Sequence, residues 1–239
     1  MATTIGFDTA TEQTVVGATV EGESAFEYHS EAPGGSRPNH TATLIPAIEK
    51  AVEAVGGWDS VDRIAVGTGP GTFTGLRIAV ATARGLALAG AADLAGVPTL
   101  AALARTITTS VPPEGEGGGP VIPVIDAKRG EVFFGAWGSD GTELEPAAVG
   151  PPEAVVELAS RLGSPIRVAG PGSVRFRSEL TSLGLEPARE ADPANRLRGS
   201  AICEIADRLE EEGDQKSLEP IYLRRPDAER WTGRSAGKD

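Results

Sequence analysis

The sequence predicts an α/β protein assembled as two halves of similar design. Three observations predict it. Short apolar runs of strand length alternate with longer runs of helical period. A strand that ends in aspartate and returns through a polar turn occurs twice, as I-G-F-D-T-A-T-E-Q-T-V-V-G-A near the start and V-I-D-A-K-R-G-E-V-F-F-G-A near the middle. Between them, Ser110–Pro120 (S-V-P-P-E-G-E-G-G-G-P) has no apolar period and can sustain neither a helix nor a central strand. The matched hairpins fit duplication of a β-β-(β)-α unit, and they fit equally well two unrelated hairpins of similar composition.

Thr3–Phe7 reads as a short buried strand, Asp8–Gln13 as a turn and Thr14–Val20 as the returning strand. Pro33–Pro38 reads as a loop. From Asn39 the residues Leu44, Ile45, Ile48, Val52 and Val55 recur at three- and four-residue steps, which predicts a helix stopped by Gly56-Gly57. Pro46 inside it removes one backbone hydrogen bond and should bend it. Arg63–Val66 is a strand, Gly67–Gly71 a loop, and about Thr74 to Ala91 a long helix. In the second half Val121–Ile125 is a strand, Asp126–Glu131 a turn and Val132–Trp137 the return strand. Ala201–Leu209 reads as an apolar-periodic helix that buries Cys203. Glu219–Arg225 is a short strand or extended segment. The expected organisation is an N-terminal subdomain over 1–110, a C-terminal subdomain over 120–226 with room for its last helix to pack back on the first, and a flexible tail over 227–239.

The charge balance narrows the function. Of 239 residues, 34 are acidic and 22 basic, a net charge of -12. Nucleic-acid affinity comes mostly from basic groups meeting phosphates, so direct nucleic-acid binding is not expected. The single cysteine permits no internal disulfide and no cysteine-based zinc site. His29 and His40 are not spaced as a helical pair of ligands, so no metal site is expected, and His40 reads as a packing or capping residue at a helix start. Met1–Asp8 lacks a basic leader pattern, and the most apolar window, Leu76–Leu94, carries Arg77, Arg84 and Asp93. A cytoplasmic protein is the expectation.

Two segments carry the chemistry worth weighing. Asp8-Thr9-Ala10-Thr11 is a turn whose hydroxyls and amides could hold a phosphate, while Asp8 could hold a hydrated cation; the plainer reading is an aspartate bonding its own backbone. Gly67-Thr-Gly-Pro-Gly71-Thr-Phe-Thr-Gly75-Leu-Arg77 follows a strand and leads into a helix, as anion-binding loops do. No lysine follows Gly75, and the glycine spacing fits neither the Walker loop nor the dinucleotide fingerprint. A tight turn that seats the helix on the sheet is at least as good a reading. The helix itself is apolar nearly all round, with small residues at Gly75, Ala79, Ala81, Ala83 and Gly85 and only Arg77, Thr82 and Arg84 as polar relief. That composition favours a helix that meets a partner chain over one that is pure core.

These residues resemble the TsaB (YeaZ) family. G-P-G-T-F-T-G-L-R-I-A-V-A-T-A-R-G-L-A-L-A is similar to its signature, and I-G-F-D-T-A-T, N-H-T-A-T-L-I-P, I-D-A-K-R-G-E-V-F-F and E-P-I-Y-L-R follow in the family's order from end to end. The resemblance implies the actin-like ATPase (ASKHA, RNase H-like) fold with two related subdomains. It implies a non-catalytic dimerisation subunit in the synthesis of threonylcarbamoyladenosine next to the anticodon of tRNAs reading codons that begin with A. It implies two partners, the catalytic paralogue TsaD and the ATPase TsaE, and self-association when the chain is alone. The contact with the paralogue would use the first two helices, giving Leu44, Ile48, Val52, Thr74, Arg77, Ile78, Ala81, Arg84 and Gly85 as partner-interface residues. Asp8, Thr9, Thr11, Gly69, Gly71 and Asp126 would form a vestigial phosphate site, with no cofactor of the chain's own and room for weak or interface-dependent ATP or ADP with magnesium. The competing expectation is an active ATPase or small-molecule kinase of the same fold, with Asp8, Thr9 and Thr11 on one phosphate and the Asp126–Gly130 turn on another.

Overall fold

The computed structural model describes residues 2–31, 38–90, 92–110, 118–211 and 218–224. The first half runs β1 (Thr3–Asp8), β2 (Gln13–Val20), β3 (Glu23–Glu31), α1 (His40–Ala54), β4 (Arg63–Gly67), α2 (Phe73–Ala89), β5 (Asp93–Val97) and α3 (Thr99–Thr109). The second runs β6 (Val121–Lys128), β7 (Glu131–Trp137), β8 (Glu143–Gly150), α4 (Pro152–Leu162), β9 (Arg167–Ala169), α5 (Pro171–Arg175), α6 (Arg177–Ser182) and α7 (Gly199–Glu211). One sheet has the order β3-β2-β1-β4-β5 and the other β8-β7-β6-β9. In each, three antiparallel strands are followed by a helix and a parallel strand beside the first. Among the described residues the second sheet has no counterpart of β5; at that edge Ala188 N–H donates to the Val168 carbonyl at 2.8 Å.

The layers follow from which faces are apolar. α1 and α2 cover the outer face of the first sheet through Leu44, Ile48, Ala79 and Ala83 against Ile5, Phe7, Ile64 and Val66. α3 and α7 fill the space between the sheets, where Leu100, Leu103, Ile107, Ile202 and Ala206 meet Val15, Val97, Val121, Ile125 and Phe133. Val155, Leu158 and Leu180 of α4 and α6 cover the outer face of the second sheet. Strands with helices on both sides have no wet face, so β1, β2 and β4 are buried almost throughout. This two-lobed α/β arrangement is the actin-like architecture.

β3, β5, α3 and the run from β8 to α6 are elements the sequence reading leaves unassigned. β3 (E-S-A-F-E-Y-H-S-E) is an edge strand, mostly polar, with only Phe26 and Tyr28 reaching the outer core. The predicted Asp126–Glu131 turn shrinks to two residues. β6 continues to Lys128, Asp126 pairs with Val132, and Arg129-Gly130 form the turn with φ of 59° and 81°. Positive φ at both central positions is the hairpin geometry that matches strand twist. α1 continues through Pro46 with its flank exposed. α2 ends at Ala89, and Ala91 lies outside the described residues, as do the predicted tail, most of the Pro33–Pro38 loop and positions 111–117.

α7 belongs by sequence to the second half and by packing to the first. Gly17 and Gly199 let its first turn touch β2, since a Cβ on Gly17 would lie 2.2 Å from Ser200 N. The Glu27 carboxylate accepts from Gly199 N and Ser200 N (2.5 and 3.1 Å), placing negative charge at the helix N-terminus. Asp207 near its other end binds Arg63 and Thr4, both at 2.7 Å. Beyond it, residues 218–224 form a strap rather than a strand. Ile221 N–H donates to the Thr68 carbonyl at 2.7 Å, and Arg224 donates to the Ala127 carbonyl at 2.8 Å and pairs with Glu131, so the strap touches both halves.

Candidate docking surface and a closed hairpin turn

Two places collect the residues singled out by sequence: the β1–β2 turn with the glycine loop, and the outward side of α1 and α2. The turn is closed by backbone packing. A Cβ on Gly75 would lie 1.8 Å from the Thr9 carbonyl oxygen, and one on Gly71 would lie 2.2 Å from the Ala10 carbonyl oxygen. Thr72 N–H donates to Ala10 O at 2.6 Å, and the Thr72 hydroxyl caps α2 by accepting from Gly75 N at 3.2 Å. The glycine signature is therefore spent on bringing the loop onto the turn.

The hydroxyls and the carboxylate are spent in the same way. Thr9 Oγ1 donates to Gly75 O at 2.7 Å, and Thr11 Oγ1 accepts from Gln13 N at 3.1 Å. Asp8 is buried, with one oxygen accepting from Ala10 N and the other from Thr99 Oγ1 at 2.6 Å. Thr99 Oγ1 in turn accepts from Gly69 N at 3.0 Å. Burial raises the Asp8 carboxyl from 3.8 to about 6, against the opposing pull of the Thr99 and Ala10 hydrogen bonds. Asp126, two residues before the end of β6, likewise accepts from the amide two residues on, Lys128 N, at 2.7 Å. Both aspartates thus bond their own backbone.

Asp126 differs in facing a cleft of about 200 Å³ between the halves, lined also by Glu12, Glu31, Lys128 and Arg175. There Lys128 Nζ pairs with Glu12 and with Asp126 (3.0 Å), and Arg175 lies 3.3 Å from Asp126. The Thr9 hydroxyl and the Ala10 and Gln13 amides are engaged within the turn, and the cleft's cations face carboxylates. No group of three metal-ligating side chains occurs among the described residues. His40, at the first turn of α1, packs against the β1–β2 hairpin with Nδ1 2.8 Å from Thr14 Oγ1. Burial pushes its imidazole below the usual value, opposed by a backbone hydrogen bond at Thr11.

The outer helices divide the expected interface residues in two. Thr74, Arg77, Ala81, Arg84 and Gly85 are exposed and recur at three- and four-residue steps on the outward side of α2, with Ile78 half-buried beside them. Leu44, Ile48 and Val52 do not join them. They are 1%, 1% and 4% exposed and pack inward on the sheet, so their assignment to a partner contact is corrected: the dominant apolar stripe of α1 is its core stripe. The outward side of α1 presents Ile45 and Pro46 instead. Ile45, Phe73, Leu88 and Tyr222 are exposed apolar side chains that the sequence reading did not place on this surface. Leu88 carried a signal, since it is apolar yet out of phase with the buried stripe of α2; Ile45 could not be told from Leu44 by its spacing, and Tyr222 carried no signal, because it arrives on the strap. No helix is long and apolar enough to cross a membrane among the described residues.

The family model for TsaD, tRNA N6-adenosine threonylcarbamoyltransferase, matches residues 24–184. The tRNA threonylcarbamoyladenosine biosynthesis protein TsaB of Escherichia coli (strain K12) is 29% identical over 195 residues, 77% of this chain and 80% of that protein. Of solved structures, YeaZ from Pseudomonas aeruginosa gives a TM-score of 0.71 at 26% identity over 93% of this chain and 100% of that one. An uncharacterised Pseudomonas aeruginosa protein described as similar to peptidase YeaZ gives 0.74 at 28% identity over 94% of this chain and 100% of the other.

Proposed function

We propose a function from one premise: this chain belongs to the TsaD family, in its TsaB (YeaZ) branch. It takes part in tRNA threonylcarbamoyladenosine biosynthesis as the non-catalytic dimerisation subunit. It binds and supports the catalytic TsaD-type paralogue that transfers threonylcarbamoyl to N6 of the adenosine beside the anticodon. The observation that carries the reading is the outward side of α2, where Ala81 and Gly85 leave room for another helix to approach and Leu88 stands 91% exposed. α1 lies beside it with Ile45 outward, so two helices offer one surface to two helices of a partner.

The closed β1–β2 turn supports a chain that makes no bonds itself. Asp8 is too deeply held to meet a substrate phosphate, and in this reading ATP or ADP with magnesium would be met only at a subunit contact. The net charge of -12 fits a subunit that leaves tRNA to its partner. A contact of ordinary size buries about 1,600 Å² in total. Held at a hundred times its dissociation constant, such a partner stabilises the bound conformation by about 2.7 kcal/mol. The TsaE-type ATPase joins the pair, self-association through the same surface occurs in its absence, and the assembly works in the cytoplasm.

The test is co-purification with the TsaD-type paralogue of the same organism, followed by a tRNA modification assay with and without this chain. Ala81→Glu, on the exposed side, is expected to abolish co-purification while leaving the melting temperature within about 2 °C of the parent, as surface changes do. Unchanged binding by that folded variant would overturn the assignment. Turnover of ATP by the isolated chain would overturn the non-catalytic role.

A further inference from the structure

Tyr222 and Phe73 form an aromatic pair at the N-terminal end of α2. Their ring centroids are 5.5 Å apart with planes tilted by 42°, and they are 45% and 41% exposed. The Arg77 guanidinium carbon lies 3.7 Å from the Phe73 ring centroid. Two large aromatics and a stacked guanidinium left in water are costly to maintain on a surface without purpose, and this is the side-chain chemistry that concentrates affinity in protein contacts.

The pair is held in position by the strap. Ile221, just before Tyr222, is fixed by its bond to Thr68 O, and its own carbonyl lies 3.1 Å from where a Cβ on Gly69 would be. Leu223, just after, packs into the central core, and Arg224 is bonded to the β6–β7 hairpin. Leu218 packs on the outer core. The backbone on both sides of Tyr222 is thus tied down while its ring stands out beside α2, at low further entropic cost on binding.

The pair also continues the docking side. Phe73, Arg77, Ala81, Arg84 and Leu88 follow one another at three- and four-residue steps, so the aromatics extend the same surface by one turn. α2 contains no acidic residue, and no carboxylate pairs with Arg77 among the described residues. A guanidinium covered by a partner must be matched there. We infer that the C-terminal strap supplies Tyr222 as a third element of the docking surface, and that Tyr222 and Phe73 clamp an apolar side chain of the TsaD-type paralogue flanked by a carboxylate facing Arg77. The inference rests on the docking reading above.

The experiment uses the full chain and the purified paralogue, with affinity measured by calorimetry or surface plasmon resonance. Tyr222→Ala and Phe73→Ala are each expected to weaken binding at least ten-fold, and Tyr222→Phe to bind within two-fold of the parent because the ring does the clamping. Melting curves check that each variant remains folded. Binding by Tyr222→Ala within two-fold of the parent, while Ala81→Glu fails to bind, would overturn the clamp and leave the docking reading standing. No binding by the parent chain, or full binding by both variants, would overturn the two together.

Discussion

Gly75 and Gly85 lie ten residues apart on one helix, and replacing each by alanine should move stability in opposite directions. At Gly75 a Cβ would stand 1.8 Å from the Thr9 carbonyl oxygen, 2.7 Å from Thr72 Oγ1 and 2.8 Å from the Thr9 carbonyl carbon. The first contact is about 1.5 Å short of ordinary van der Waals separation, so the start of α2 or the β1–β2 turn must retreat by that much. Overpacking costs about 1–3 kcal/mol, and the obstacle here is backbone, which places the cost near the upper end. The gain in helix propensity returns about 1 kcal/mol, leaving a net loss of about 2 kcal/mol. For a chain of this size that lowers the melting temperature by about 4–8 °C. At Gly85 nothing lies within 4 Å, and the helix takes the propensity gain alone, raising the melting temperature by about 2–4 °C. Circular-dichroism melts of the two variants at one scan rate decide it. A Gly75→Ala chain that melts at or above the parent would refute the account of the glycine loop as a seat for the helix.

The remaining expectations concern buried groups. Asp8 titrates near 3.8 unfolded and about 6 folded, so the proton is held more tightly in the native state. Its favourable contribution is complete below pH 3.8 and lost as pH rises through 6. The stability of Asp8→Asn minus that of the parent should therefore grow by up to about 3 kcal/mol over that window, read from urea unfolding at pH 4 and pH 7; parallel curves would refute it. Leu44→Ala removes a core side chain and should cost about 2–5 kcal/mol, with partner affinity changed only through the folded fraction. Burial pushes the Cys203 thiol up, so iodoacetamide should leave it unmodified in the native chain and label it once urea unfolds the protein, followed by mass spectrometry.

What was legible in the sequence was whatever repeats with a period. The paired hairpins, the helical period of α1 and the length of α2 could all be read, because strands buried on both faces and helices with one buried stripe write their burial into residue order. β3 was not legible because an edge strand is free to be polar, and its two apolar residues, Phe26 and Tyr28, form too short a pattern. The division between core and contact on α1 was misread for a physical reason: Leu44 and Ile45 are equally apolar, and only the sheet decides which one it covers. The role of the glycine loop stayed open between anion binding and close packing, since both need residues without a Cβ. Only the position of Thr9 and Ala10 beneath it separates them. The nearness of Tyr222 to Phe73 spans most of the chain, and no local pattern encodes it.

Because α7 crosses back to lie against β1 and β2, the lobes are laced together by the polypeptide as well as packed. A fragment ending at Ser110 would leave bare the apolar sites that Ile202, Cys203 and Ala206 occupy, and one beginning at Pro120 would carry a greasy helix with nothing to rest on. Expressed apart, each piece is an aggregation hazard; expressed together, they are built to find one another. A backbone nick between those two positions would go unnoticed under native conditions, and the molecule would come apart only when its first sheet melts.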